Sequence, residues 1–85
     1  MRAVLRYNVL VGETVEHRLR GRIVKVGCRD PRMVEFWVLD NSDADPLTVQ
    51  LRVFGTGEVV PDDAVYVGTA VPPQRPDLVW HLFRL

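Results

Sequence analysis

Apolar residues recur at every second position along most of the chain. Ala3, Leu5, Tyr7, Val9 and Val11 alternate with Arg2, Arg6 and Asn8, the period of a half-buried strand rather than of a helix. Gly12-Glu13 has the character of a turn, after which Val15, His17 and Leu19 alternate with Glu16, Arg18 and Arg20. Gly21 breaks that second run, and Arg22 to Cys28 predicts a third strand with Val24, Val26 and Cys28 on one side. Arg29-Asp30-Pro31-Arg32 carries turn chemistry, because proline presets φ and aspartate can bond its own backbone.

Met33 to Asp40 predicts a fourth strand that is apolar on both faces, with Val34, Phe36 and Val38 on one and Met33, Trp37 and Leu39 on the other. The segment Asn41 to Pro46 is the clearest loop in the chain. Leu47, Val49, Leu51 and Val53 then alternate with Thr48, Gln50 and Arg52 in a fifth strand. Gly55-Thr56-Gly57 and Pro61-Asp62-Asp63 bracket a tight connection to a sixth strand through Val65, Val67 and Thr69. A proline-rich loop from Val71 to Asp77 leads to a seventh strand, Leu78 to Leu85. Nowhere do apolar residues keep helical spacing. The pattern predicts a single all-β domain over residues 1–85: a small antiparallel β-sandwich or open β-barrel of about seven short strands.

Composition narrows the class. Eighty-five residues make one small domain with a thin core, and small domains without disulfides often gain stability by oligomerising. The lone Cys28 cannot close an intramolecular disulfide or a cysteine-rich zinc site. No apolar run approaches a membrane span, and Arg6 and Asn8 interrupt the opening residues where a signal peptide needs an apolar run. A cytoplasmic protein with no cofactor, no metal and no membrane partner is the expectation.

Several short motifs occur in one order: Phe54-Gly55-Thr56-Gly57, Val60-Pro61-Asp62-Asp63, Tyr66-Val67-Gly68-Thr69 and Leu78-Val79-Trp80-His81-Leu82-Phe83. Upstream stand Tyr7, Ile23-Val24-Lys25-Val26 and Phe36-Trp37-Val38-Leu39-Asp40. Together they resemble a family of small bacteriophage and prophage proteins without an assigned biochemical function. The resemblance spans nearly the whole chain, departing mainly at Pro72-Pro73-Gln74-Arg75-Pro76 and before Gly21. It implies a phage-type origin and no particular activity.

Candidate chemistry is sparse. Arg18, Arg20 and Arg22 cluster around Gly21 in an N-terminal part that is net basic, whereas residues 33–85 are net acidic and the whole chain has a net charge of zero. The cluster suits a polyanion or a phosphorylated ligand; pairing of basic with acidic strands is the simpler alternative. Gly55, Thr56 and Gly57 could form an anion-binding nest, or simply a bulge and a turn. Cys28 paired with His17 or His81 could make a nucleophilic dyad. A cysteine packed as a small hydrophobe, beside histidines bonded to neighbouring strands, is the plainer reading. No catalytic residue is assigned.

Trp37, Phe54, Trp80 and Phe83 lie on the two-sided apolar strands or in a polar register, and exposed aromatics among polar neighbours mark interfaces. The expectation is a non-enzymatic accessory protein acting by protein–protein interaction. Its partners would be itself, as a homo-oligomer, and a host or phage protein. The alternative is a small β-barrel that binds nucleic acid or a small phosphorylated ligand.

Overall fold

Every period-two run becomes a strand, and no helix forms. The structure is a computed structural model that describes residues 1–85. Its strands are β1 (Arg2–Leu10), β2 (Thr14–Leu19), β3 (Ile23–Asp30), β4 (Met33–Asn41), β5 (Leu47–Gly55), β6 (Val65–Ala70) and β7 (Trp80–Arg84). They form two antiparallel sheets, ordered β1-β4-β3 and β2-β5-β7-β6. The sheets face each other as a sandwich and do not close into a barrel.

Alternation decides which residues go inside. Val9, Val34, Phe36 and Val38 of the three-stranded sheet pack against Leu19, Val49, Leu51, Val53 and Leu82 of the four-stranded one. β3 and β6 carry register shifts, and β7 starts later than its pattern predicts. A bulge between Ile23 and Lys25 turns both Ile23 and Val26 inward and leaves Val24 exposed, since an extra residue in a strand shifts its register by one. Val24 therefore does not share a side with Val26, which corrects the expectation that Val24, Val26 and Cys28 lie on one side. β7 begins at Trp80 rather than Leu78, because the Leu78 N–H closes a turn on the Arg75 carbonyl (2.9 Å).

The chain changes sheets twice in its first part. β2 does not pair back on β1; it crosses to β5, with Val15 opposite Leu51 and His17 opposite Val49. It then returns through Arg20-Gly21-Arg22, where the Arg20 carbonyl accepts from the Asn41 N–H (2.9 Å) and the Arg22 carbonyl from the Leu39 N–H (3.0 Å). Between those two bonds Gly21 lies directly on the Leu39 carbonyl, where any Cβ would overlap backbone. Only glycine fits that crossing.

The two open sides of the sandwich are treated differently. On one, β3 and β6 lie against each other, with Gly68 directly beneath the Val26 side chain. On the other, β1 and β2 touch through the Tyr7 and His17 rings (centroids 5.2 Å apart), and His17 Nε2 donates to the Asn8 carbonyl (3.4 Å).

Candidate functional site

The three clustered arginines do not converge. Arg18 stands opposite Thr48 on the outer face of the four-stranded sheet, and the Arg20 guanidinium donates to the Ser42 carbonyl (3.3 Å) in the β4–β5 loop. Arg22 alone enters a recess, a groove of about 310 Å³ at the end of the sandwich. There the end of β2 and the starts of β3, β5 and β6 meet. Within one strand, alternate residues such as these would share a face; they diverge because β2 ends at Leu19 and the chain crosses at Gly21 to the other sheet.

Leu19, Ile23, Leu47, Val49, Val65, Tyr66 and Val67 line the groove, and Arg84 joins Arg22 there; no acidic side chain takes part. Leu47, Val65 and Tyr66 are 60%, 48% and 58% exposed, respectively. Ion pairs join Arg6 and Arg29 to Glu35, Arg32 to Asp30, and Arg75 to Asp77, and none involves Arg22 or Arg84. The site therefore pairs uncovered apolar surface with two arginines that lack a carboxylate partner. Arg84 lies at the far end of the sequence from Arg22, and only its register opposite Leu51 and Val65 brings it here.

The Gly55-Thr56-Gly57 segment is a tight turn. Gly57 has φ +93°, a conformation that favours glycine. The Gly55 N–H is taken by Glu58 Oε1 (2.9 Å), and a carboxylate so placed repels an anion from the turn. Thr56 reaches instead to His81: Thr56 Oγ1 lies 2.8 Å from Nε2, Thr69 Oγ1 lies 2.9 Å from Nδ1, and the Tyr66 hydroxyl is 2.7 Å from Thr69. A hydroxyl and an imidazole at this distance resemble the first two members of a triad, but a threonine stands where a carboxylate would orient and charge the ring. The chain ties the turn, β6 and β7 together and anchors Tyr66, one wall of the groove.

The aromatic candidates are mostly sheltered within the chain. Phe54, on the outer face opposite His81, is only 5% exposed; its ring meets Phe83 edge-on (5.6 Å) and lies 5.6 Å from the Arg52 guanidinium. Phe83 is half-buried between Phe54 and Tyr66. Trp80 packs against the core and donates its Nε1–H to the Pro31 carbonyl (3.0 Å). Trp37 is half-buried on the outer face of the three-stranded sheet, with Lys25 Nζ 5.3 Å above its ring, a cation–π contact that covers apolar surface from within the chain.

Cys28 and the histidines form no dyad. The Cys28 thiol donates to the Asp30 and Met33 carbonyls (3.0 and 3.3 Å), and burial, with the charges of Asp30 and Glu35, pushes its pKa up. That is the opposite of an activated thiol. His17 packs between Tyr7 and Phe36. Pro61 to Ala64 is a turn closed by the Ala64 N–H on the Pro61 carbonyl (3.0 Å), and no group of His, Cys, Asp and Glu is placed to hold a metal ion.

One charged residue escaped the sequence pattern. Glu35 lies on the outer face of β4, yet is only 3% exposed. Arg29 forms a two-pronged bond to it (2.7 Å to each oxygen) and Arg6 approaches to 3.3 Å. Hydrogen bonds from Arg29, reinforced by its charge and that of Arg6, hold the carboxyl below its ordinary pKa against the opposing effect of burial. Its partners come from β1 and β3, so the ion pair fastens all three strands of that sheet.

A family described as a domain of unknown function, DUF7352, matches residues 1–85. The chain belongs to that family. No curated protein and no solved structure matches it. For this DUF7352 chain, the groove at the open end of the sandwich is the place where shape, exposed apolar surface and unpaired charge coincide.

Proposed function

We propose that the protein is a non-enzymatic accessory module that acts by protein–protein contact, receiving in its groove an extended partner segment that alternates apolar and acidic side chains. The observation that carries this reading is the joining of Leu47, Val65 and Tyr66 to two arginines without carboxylate partners in one recess. An apolar body would cover the aliphatic walls, and a carboxylate would pair with Arg22 and Arg84. The arginines diverge, which disfavours a polyanion track, and Glu58 disfavours an anion in the Gly55–Gly57 turn. The resemblance to phage and prophage proteins supports a host or phage protein of the cytoplasm as partner.

Short synthetic peptides test this directly. A peptide alternating leucine with glutamate, titrated into the isotopically labelled chain, is expected to shift the amide resonances of Leu47, Val65, Tyr66, Arg22 and Arg84. The same peptide with lysine in place of glutamate is expected to leave them unmoved, and Arg22→Glu with Arg84→Glu should reverse the preference. Equal response to both peptides overturns the reading. So does a response to single-stranded DNA centred on Arg18 and Arg20, which would restore the nucleic-acid alternative.

A further inference from the structure

Four strands stand at sheet edges, and three of them are guarded. β3 and β6 lie against each other. β2 is short, only six residues, and leans on β1 through His17. β1 is different. It runs nine residues, holds an unbroken register against β4 from Arg2–Asn41 to Leu10–Met33, and contains no proline. Long, regular edges of this kind are templates for another strand.

The backbone direction along β1 follows from its two ends. The Met1 carbonyl accepts from the Ser42 N–H and the Val11 N–H donates to the Arg32 carbonyl, both at 2.9 Å. Residues 1, 3, 5, 7, 9 and 11 therefore turn their backbone groups toward β4, and the even-numbered residues turn theirs away, as alternation in an antiparallel pair requires. The Asn8 and Leu10 carbonyls are taken by His17 and by the Glu13 N–H. That leaves the N–H and C=O groups of Arg2, Val4 and Arg6 pointing outward without a partner. Val4 and Leu5 beside them are 59% and 40% exposed on opposite faces of the sheet.

We infer that β1 pairs antiparallel with β1 of a second copy, about a two-fold axis at Leu5, making a continuous six-stranded sheet. β1 contributes no residue to the groove, so this inference stands apart from the proposed function. Self-complementarity selects the second copy and the register. With Leu5 on the axis, Leu5 meets Leu5 of the partner subunit, Val4 bonds across to the partner's Arg6, and Arg2 faces the partner's Asn8. Placing the axis at Val4 would instead set Arg2 opposite the partner's Arg6, and like charges directly opposed are unfavourable. Arg6 is also partly neutralised where it stands, by Glu35.

Light scattering across a concentration series tests the pairing, and dimers with twice the mass of one chain are expected. Val4→Pro removes one outward N–H and none of the bonds to β4, so it should give a monomer with an unchanged β-sheet circular dichroism spectrum. In a Cys28→Ser background, oxidised Leu5→Cys should cross-link into a covalent dimer, because facing residues of a non-hydrogen-bonded pair bring their Cα atoms to about 4.5 Å. Val4→Cys should not. A monomer at every concentration overturns the inference, as does a dimer that survives Val4→Pro, or cross-linking through Val4→Cys instead of Leu5→Cys. Should Val4→Pro lose its sheet spectrum, the two cysteine variants decide the matter by themselves.

Discussion

The two ends of this sandwich are built from the same kinds of residue and finished in opposite ways. At one end, Val9, Val34, Val53, Ala70 and Pro72 are all buried. The loop after β6 folds over them: Trp80 bonds to Pro31, and Gln74 donates to the Arg29 carbonyl (2.6 Å). At the other end, Leu5, Leu47 and Val65 occupy the same inward register and remain in solvent. The chain crosses that end twice, at Gly21 and through the loop between β4 and β5, and neither crossing covers these side chains. A small domain buries a limited fraction of its surface, and here the uncapped end keeps apolar side chains in solvent.

The strongest way to break this contrast is at the Gly21 crossing itself. Gly21→Ala drives a methyl group into the Leu39 carbonyl, and a loss of about 3 kcal/mol is expected, measurable by urea unfolding. The capped end comes next. Trp80→Ala removes a half-buried ring and a hydrogen bond to Pro31, at a cost of about 2–3 kcal/mol, and should raise proteolysis within the Val71–Asp77 loop.

Glu35 gives a smaller and pH-dependent effect. Because Arg29 holds its carboxyl below the ordinary value, the charged form stabilises the fold. That contribution is complete above the carboxylate's unfolded pKa and fades as pH drops through the lower folded pKa. Glu35→Gln should cost about 1–2 kcal/mol near neutrality, since a neutral amide leaves Arg6 and Arg29 as neighbouring like charges without their counter-charge, an effect that water around the two guanidinium groups keeps modest. In acid the variant and the parent should converge, which thermal unfolding at several pH values will show. A constant gap down to strongly acidic pH would contradict the assignment.

The open end should yield the smallest effect on stability and the largest on binding. Leu47→Ser and Val65→Thr each alter side chains that are already solvated, so unfolding should move by no more than about 0.5 kcal/mol. Their combination should abolish capture of the leucine–glutamate peptide by loss of apolar contact. If either substitution destabilised the chain as much as Trp80→Ala, the open end would be a second core rather than a free surface.

The candidate site was less legible than the fold, and individual residues show why. Arg18, Arg20 and Arg22 are close in sequence but separate in space, because β2 ends at Leu19 and the chain passes to the other sheet at Gly21. Arg22 and Arg84 are distant in sequence and share a groove. Phe54 sits in the polar register its spacing indicates, yet it is buried under its neighbours Arg52 and Phe83. Glu35 looks like an ordinary exposed acid in a strand and is enclosed by arginines from two other strands.

By itself the sequence determined that this chain is all β, where its seven strands fall to within about two residues, and which side of most strands is apolar, because a strand's side-chain period is a local property of the backbone. Tertiary structure alone decided that β2 leaves β1 for the opposite sheet, that one end is capped and the other open, and that β1 keeps an unguarded edge. Those outcomes depend on which segments meet across the fold, and a period of two is the same whichever neighbour a strand acquires.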